Sequence, residues 1–294
     1  MTRLTRRTLL MQATALCALP AFARAQERLL SIGGSVTEIV HALGAGDRLV
    51  ARDTTSTWPP EVTALPDVGY ARALSPEGVL SVAPDHILAI EGAGPPETIR
   101  VLQSAGLPFT TVPEATDGPG ILAKIEVVGQ ALGLPDRADA LVAETRAALV
   151  ATARQSDRIA PERRKRVLFI LSLQGGRILA AGRDTQAAGI IDMAGAVNAV
   201  DAFEGYKQLT DEAVSRAAPD VILMMDRGGD HAIEDEVLLS LPAIRTTAAA
   251  RTGAVIRMQG LYLLGFGPRT AQAARDLHSA IYATTQADDD SDPS

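Results

Sequence analysis

Short apolar runs alternate with amphipathic stretches along most of the chain. The apolar runs are typical of buried strands, and many of them are bounded by Gly, Pro or Asp. They span residues 29–32, 48–52, 86–90, 108–112, 167–171, 178–180, 221–225 and 254–257. Hydrophobic residues between these runs recur at helical spacing. Strands that alternate with helices predict an α/β fold with parallel sheets.

One segment of the chain, residues 118–157, lacks this alternation. Apolar residues keep helical spacing over 121–132, and the same period resumes over 141–150, after Asp136 as a predicted helix cap. Because no strand pattern interrupts the segment, it predicts a helical connection between two α/β lobes.

Polar residues just before apolar periodicity are the predicted helix caps. Ser75 and Thr210 each precede a helical stretch, where a hydroxyl can accept a backbone N–H. Ser35 has Glu38 three residues on, which is the capping-box pattern. These residues predict where three helices begin.

A sixteen-residue segment occurs twice. Residues 74–89 read LSPEGVLSVAPDHILA and residues 209–224 read LTDEAVSRAAPDVILM, with eight identical positions, and a Gly-Tyr pair precedes each copy. The copies lie 135 residues apart, roughly one domain length. This spacing predicts two similar lobes with a cleft between them. The alternative is a generic pattern of helix, Pro-Asp and strand, which leaves the Gly-Tyr pairs unexplained.

The chain begins with a predicted export signal. Arg6-Arg7 precede an apolar run at residues 9–22, and Ala23-Arg24-Ala25 supplies a small-residue cleavage site. Residues 5–10 resemble a twin-arginine signal. We therefore expect export to the periplasm, with cleavage after Ala25. The apolar run is too short to span a bilayer comfortably, so no membrane anchor is expected.

These patterns divide the chain into five predicted segments. They are an export signal at 1–25, a first α/β lobe at 26–117, a helical linker at 118–160, a second α/β lobe at 161–284 and an acidic tail at 285–294. The tail is rich in Asp, and we expect it to be disordered.

Composition narrows the range of partners. Removal of the signal takes away four arginines and no acidic residue, so the formal net charge changes from −7 to −11. A chain this acidic, without a basic stripe, is not expected to bind nucleic acid. The one cysteine, Cys17, lies within the signal. The mature chain is therefore expected to have no disulfide and no cysteine metal site.

Motifs for enzyme chemistry are missing from the sequence. It contains no G-x-S-x-G nucleophile elbow, no phosphate-binding P-loop and no G-x-G-x-x-G fingerprint. The four histidines are dispersed, without the spacing of metal ligands. These absences favour a binding protein, with an exported α/β enzyme as the alternative.

Tyr70 is the candidate ligand-binding residue. It lies in the predicted loop 67–72, just before a helix cap, and Arg72 follows two residues on. A neighbouring cation favours an ionised phenol, and tyrosine is one of the established protein ligands of haem iron. The alternative is a tyrosine packed at a lobe edge with its hydroxyl in water.

The loop that contains Tyr70 belongs to a longer recognisable pattern. Residues 53–59 and 65–81, with their Gly-Tyr-x-Arg-x-Leu-Ser core, resemble the periplasmic haemin-binding proteins of ABC importers. Residues 91–96, 205–207 and 265–269 extend the likeness over essentially the whole mature chain. The resemblance implies a protein that captures ferric haem and delivers it to an inner-membrane importer, without chemistry on the ligand. The wider family includes siderophore-binding and cobalamin-binding proteins, which are the nearest alternatives.

The resemblance also implies a fold and roles for individual residues. The fold is two Rossmann-like lobes joined by one long helix, with little hinge motion. Tyr70 would be the axial ligand of the haem iron, Arg72 would support its phenolate, and Arg227 would enter the cleft from the second lobe. Haem also carries two propionates, which Arg or Lys can pair. The remaining cleft candidates are Tyr206 as a wall residue and, for the propionates, Arg52, Lys207 and Arg177.

In the wider family, a glutamate on each lobe meets arginines of the permease. The matching residues are Glu77 and Glu212, at equivalent positions of the repeat. The alternative is that each carboxylate merely suits the first turn of its helix.

One departure from the family pattern bears on stoichiometry. Some relatives hold a second, stacked haem through a His in the loop that corresponds to residues 172–176, and this loop has no His here. We therefore expect a monomer that holds one five-coordinate haem.

Overall fold

The first lobe is built on a four-stranded parallel sheet. In the computed structural model, which describes residues 27–226 and 233–283, its strands are β1 (Leu29–Ile32), β2 (Leu49–Arg52), β3 (His86–Ile90) and β4 (Phe109–Val112). Their order is β2-β1-β3-β4, and every pairing is parallel. The carboxyl ends of all four strands therefore meet at one edge.

The second lobe carries a mixed sheet. Its strands are β5 (Arg166–Gln174), β6 (Arg177–Ala181), β7 (Val197–Asn198), β8 (Tyr206–Leu209), β9 (Val221–Asp226) and β10 (Val255–Gln259). The order is β10-β9-β5-β6-β8, with the short β7 beside β5. The pairings from β10 to β5 are parallel, whereas β6 and β8 are antiparallel additions. The predicted α/β class is confirmed, and the antiparallel half is a feature that the hydrophobic pattern did not predict.

Eleven helices are present in the described part of the chain. They are α1 (Gly34–Ala42), α2 (Pro76–Ser81), α3 (Pro96–Ser104), α4 (Gly118–Ala131), α5 (Pro135–Ser156), α6 (Gln186–Met193), α7 (Asp211–Ala217), α8 (Asp235–Ser240), α9 (Ala248–Thr252), α10 (Gly260–Leu264) and α11 (Thr270–Ala283). Three short 3-10 turns, Gly46–Arg48, Pro60–Ala64 and Pro161–Arg163, precede or connect other elements. Within the described ranges, no helix combines the length and apolar character that a membrane span needs.

The connection between the lobes is a pair of helices, where the resemblance implied one long helix. α4 and α5 are joined by the turn 132–134, in which Gly133 has a φ of 68°. A Cβ at Gly129 would overlap the Cβ of Ala138, so glycine permits their close packing. Pro135 opens α5 after Leu134 at the cap position, and the predicted cap at Asp136 is therefore wrong.

Three groups of buried side chains hold this arrangement together. The central group includes Val36 from the first lobe, Ile125 from α4 and Phe169 from the second lobe. Each lobe also has an outer group of its own, one beneath α2 and α3 and the other beneath α7 and α8. Because the central group draws on both lobes, burial of apolar surface joins them into one core.

The predicted caps of the repeated helices are confirmed. Ser75 Oγ accepts the backbone N–H of Gly78 at 3.0 Å, and Thr210 Oγ1 accepts that of Ala213 at 3.2 Å. These hydroxyls satisfy a first-turn donor that a helix cannot satisfy by itself.

The repeated Ala-Pro-Asp segment makes the same hydrogen bonds in both lobes. Asp85 accepts the backbone N–H of Arg28 at 3.0 Å, and Asp220 accepts that of Arg166 at 2.8 Å. Each arginine donates in turn from Nε to a backbone carbonyl near the end of the preceding helix, at 2.8 Å in both lobes. The repeat thus ties the end of a helix to the start of its lobe's first strand. This part of the repeat has a folding role.

The Gly-Tyr pairs are where the two copies differ in structure. Gly69 and Gly205 both have positive φ, 101° and 74°, which glycine adopts without steric cost. Tyr70 then lies in a loop, whereas Tyr206 begins the antiparallel strand β8. The two tyrosines are therefore presented on different kinds of backbone.

We expect Asp85→Ala and Asp220→Ala to destabilise the protein by similar amounts. Each substitution leaves an arginine backbone N–H without its carboxylate partner, which costs about 1–2 kcal/mol. Urea unfolding of both variants measures the loss. Asp139→Ala, at an exposed position of α5, is the matched control and should unfold like the parent protein. A lower free energy of unfolding in only one of the two variants would contradict the equivalence of the two Ala-Pro-Asp segments.

Candidate functional site

A loop of the first lobe presents Tyr70 at the carboxyl edge of the sheet. Gly69 O accepts the N–H of Thr54, at the end of β2, at 3.0 Å. Ala71 O accepts the N–H of Gly94, after β3, at 2.9 Å. These bonds hold the loop between the two chain segments that leave the strands. In parallel α/β sheets, ligands bind at this edge.

Burial alternates with exposure along the same loop. Val68, Ala71 and Leu74 are buried in the outer core of the first lobe. Tyr70 is 50% exposed, and Arg72 is exposed as well. Within the described residues, neither the Tyr70 hydroxyl nor the Arg72 guanidinium has a hydrogen-bond partner. The anchored residues thus leave a phenol and a cation free to meet a ligand.

Tyr206 is the counterpart of Tyr70 in the second lobe. Its ring meets Phe169 edge-on, with centroids 6.5 Å apart, and its hydroxyl lies beside the side chain of Thr185. Burial raises the pKa of the Tyr206 hydroxyl, and the positive charge of Arg72 opposes this rise. Arg72 belongs to the first lobe, so its charge acts on Tyr206 from the other lobe. The wall role of Tyr206 stays a prediction.

A buried cation lies where the lobes and the helix pair meet. Lys124 of α4 is fully buried. Its Nζ donates to Ser35 Oγ at 3.2 Å and to Gly265 O at 3.4 Å, and lies 4.0 Å from Glu114 Oε2. Glu114 also accepts from Gln186 Nε2 of the second lobe at 2.9 Å. Burial lowers the pKa of Lys124, and the carboxylates of Glu114 and Glu38 partly offset this.

A second cross-lobe contact is centred on Arg269. Its Nη2 pairs with Glu38 Oε2 at 2.9 Å, and its backbone N–H donates to Glu38 Oε1 at 3.1 Å. The guanidinium lies between two rings, 4.2 Å from the centroid of Trp58 and 5.1 Å from that of Tyr262. The predicted capping box is therefore wrong. α1 begins after Gly33 without a side-chain cap, and Glu38 serves Arg269 instead.

Comparison with known proteins identifies the family of this chain. The sequence pattern of the periplasmic binding proteins matches residues 29–260. The chain belongs to the periplasmic binding protein family. This membership agrees with the two lobes and the cleft, and it places the protein among substrate-binding proteins.

Two solved structures of this family are similar to the chain. One is a periplasmic heme-binding protein, BhuT, in complex with two hemes, with 40% identity, a TM-score of 0.83 and coverage of 88% of this chain and 98% of that one. Another is the heme-binding protein RhuT from Roseiflexus sp. RS-1 in its apo form, with 38% identity, a TM-score of 0.84 and coverage of 89% and 100%. A vitamin B12-binding protein of Yersinia pestis is 29% identical over 204 residues, which cover 69% of this chain and 70% of the relative.

Arg52 and Lys207, predicted to pair with the propionates, have other contacts in the structure. The Arg52 guanidinium pairs with Asp67 at 2.9 Å and donates to three backbone carbonyls of the first lobe. Lys207 is exposed, on the strand face opposite Tyr206, with Nζ 5.2 Å from the ring centroid of Phe203.

The other predicted cleft cations have different positions. Arg177 is exposed and contacts Gln208 at 3.4 Å, on the antiparallel part of the second sheet. Arg227 lies outside the described residues. Among the described residues, Arg72 is the predicted cation whose charge acts on Tyr206.

A separate cavity of about 730 Å³ lies away from these walls. Leu122 of α4, Leu149 of α5 and Met193 of α6 are among the residues that line it. Met193 is the last residue of α6, whereas Thr185, just before α6, contacts Tyr206. The cavity is thus at the far end of that helix from the cleft, and it is not part of the candidate site.

Sequence reasoning missed the residues that join the lobes. Glu38 and Arg269 are 231 positions apart, so no local pattern connects them. Lys124 did carry a signal, because it interrupts the apolar face formed by Ile121, Ile125 and Val128. A lysine on a buried helical face requires a partner.

We expect replacement of Lys124 to change how stability depends on pH. Since burial holds its pKa below 10.5, the unfolded chain binds more protons than the folded one as pH approaches that value. Stability from this group therefore rises with pH. The free energy of unfolding of the parent protein should increase relative to Lys124→Met between neutral pH and 10.5.

Urea unfolding at a series of pH values measures this difference. Lys207→Met removes an exposed amine and is the matched control for the loss of one lysine. A parent protein that loses stability relative to Lys124→Met as pH rises would contradict the assignment.

Proposed function

We propose that this protein captures ferric haem in the periplasm and delivers it to an ABC importer of the inner membrane. The observation that carries the proposal is the pair Tyr70 and Arg72, exposed at the cleft without described hydrogen-bond partners. The similarity to two periplasmic heme-binding proteins supports it. No chemistry on the ligand is proposed.

Tyr70 is the residue we assign to the iron. A phenolate oxygen is a protein ligand that haem iron accepts, and this one is half exposed on an anchored loop. Arg72 lies two residues on, where its charge can stabilise the phenolate. No group of three or more His, Cys, Asp or Glu side chains in the described ranges is arranged to hold a free metal ion. A haem needs one axial ligand, so the site suits haem better than a bare cation.

The second wall is assigned to contact with the porphyrin. Tyr206 offers a ring that meets Phe169 edge-on, with its hydroxyl beside Thr185. Burial raises the pKa of this hydroxyl, so it stays neutral at physiological pH. A neutral, fixed phenol is suited to packing against a flat ring, whereas the exposed hydroxyl of Tyr70 is accessible to the metal.

A titration of the purified protein with haemin tests the assignment. We expect a saturable one-to-one spectrum of the high-spin ferric phenolate type. Tyr70→Phe keeps the ring but removes the ligand oxygen. It should lose this spectrum and weaken binding by more than roughly 10-fold, the loss typical even of outer-sphere changes at metal sites.

Tyr206→Phe is the matched control and should retain the phenolate spectrum. Equal titrations of Tyr70→Phe and the parent protein would contradict the ligand assignment. A two-to-one end point would contradict the single haem, a stoichiometry of interest because one similar protein holds two hemes. The bound haem should persist without an added reductant, and its loss would instead indicate a haem-degrading enzyme.

A corrinoid is the second candidate ligand, because a vitamin B12-binding protein is among the similar proteins. Cobalamin binding requires no tyrosine–iron bond. Titration with hydroxocobalamin therefore separates the two ligands, and binding unaffected by Tyr70→Phe would favour the corrinoid.

Delivery is proposed to use Glu77 and Glu212. Both are exposed in the first turns of α2 and α7. Each helix follows the segment that contains its lobe's Gly-Tyr pair, so the two carboxylates occupy equivalent positions in the two lobes. We expect Glu77→Ala with Glu212→Ala to leave the haemin titration unchanged, because neither residue is on the walls. Uptake by a reconstituted importer should fall about 10-fold or more, as when a buried interfacial charge pair loses a partner. Unchanged uptake would contradict this docking role.

A further inference from the structure

The two exposed glutamates of the repeated helices have different surroundings. Glu212 Oε1 accepts from Arg216 Nη2 at 2.6 Å, with side chains that are 81% and 75% exposed. Glu77 makes no ion pair or side-chain hydrogen bond with any described residue. One carboxylate is thus already compensated by a cation, and the other is not.

This difference is encoded at aligned positions of the repeat. Arg216 corresponds to Ser81 in the first copy, and Ser215 corresponds to Leu80. Ser81 donates to the carbonyl of Gly78 and carries no charge. Leu80 is 38% exposed and lies three residues after Glu77, hence on the same helix face. The first lobe therefore presents an unpaired carboxylate beside an apolar side chain.

We propose that the two lobes dock unequally, with Glu77 as the stronger contact and Arg216 as the residue that weakens the contact through Glu212. The inference rests on the proposed function, in which the partner is a permease with cationic docking sites. A cation that approaches Glu77 meets an uncompensated negative charge. A cation that approaches Glu212 must displace Arg216 and is repelled by it, because like charges across an interface are unfavourable.

Leu80 strengthens the same inequality. An exposed leucine next to a charged contact adds apolar area that becomes buried when the partner covers it. The aligned Ser215 adds little such area. Charge and apolar area therefore both favour the first lobe as the main docking point.

A reciprocal exchange between the lobes tests the proposal. Arg216→Ser gives the second copy the residue of the first, and Ser81→Arg places an arginine four residues after Glu77. We expect Arg216→Ser to tighten binding about threefold and Ser81→Arg to weaken it about threefold, from the loss or gain of one i,i+4 pair and its repulsion of the partner. The probe is the producing bacterium's haem importer, purified in lipid nanodiscs, with binding followed by biolayer interferometry.

Two controls make the outcome decisive. Arg154→Ser removes one exposed positive charge from α5, so it reports the effect of net charge alone. Haemin titration of every variant checks the cleft independently of docking. Single substitutions should rank Glu77→Ala as more damaging than Glu212→Ala. The difference between Arg216→Ser and the parent protein should shrink at high salt, because the site is exposed.

Several results would overturn the inference. One is an importer affinity of Arg216→Ser that is no higher than that of Arg154→Ser. Another is an importer affinity of Ser81→Arg that equals that of the parent protein. A third is an equal loss of importer affinity in Glu77→Ala and Glu212→Ala. Weaker binding of Arg216→Ser would show that the permease uses Arg216 directly. If haemin binds normally but no variant and no parent protein binds the importer, docking fails while haem capture stands. If haemin does not bind the parent protein, the proposed function itself fails.

Discussion

The buried ammonium of Lys124 is the constraint on which the arrangement of the lobes depends. It lies in the helix pair and bonds Ser35 at the start of the first lobe and Gly265 after the last strand of the second. A charge removed from water is strongly unfavourable unless its partners keep their geometry. The helix pair and the two lobes must therefore keep their relative positions for this ammonium to keep its hydrogen bonds. The ion pair between Glu38 and Arg269 is a second contact across the lobes, and the Arg269 guanidinium also contacts the rings of Trp58 and Tyr262.

This constraint explains why the cleft can present its side chains without first being organised by a ligand. The loop of Tyr70 is bonded to the ends of β2 and β3, and the opposite wall is built by Tyr206 on Phe169. Because the walls belong to different lobes, their separation is set by the contacts beneath them. A preorganised site loses less conformational entropy when it binds, which is the condition for tight capture of a rigid, flat ligand.

The internal repeat separates into a structural part and a functional part. Its Ala-Pro-Asp run ties a helix end to a strand start in both lobes through Asp85 and Asp220, and this symmetry belongs to folding. The solvent-facing positions of the same helices have diverged, with Leu80 and Ser81 in one copy and Ser215 and Arg216 in the other. The Gly-Tyr pairs have diverged as well, since one tyrosine is free in a loop and the other is fixed in a strand. Other differences between the copies, such as His86 against Val221 and Ala89 against Met224, are buried in strands, so the exposed differences are the ones available for a ligand and a partner.

The sequence alone determined eight of the ten described strands, the caps at Ser75 and Thr210, the repeat and the family resemblance. Each of these is a local signal, because periodicity, caps and motifs depend on residues a few positions apart. It did not determine the antiparallel half of the second sheet, the start of α5 or the partners of Glu38, Lys124 and Arg52. The partners of Glu38 and Lys124 depend on contacts between distant segments, such as the 231 positions that separate Glu38 from Arg269. Only tertiary packing decided which cations face the cleft, because a charge that looks free along the chain is often satisfied by backbone carbonyls that folding brings beside it.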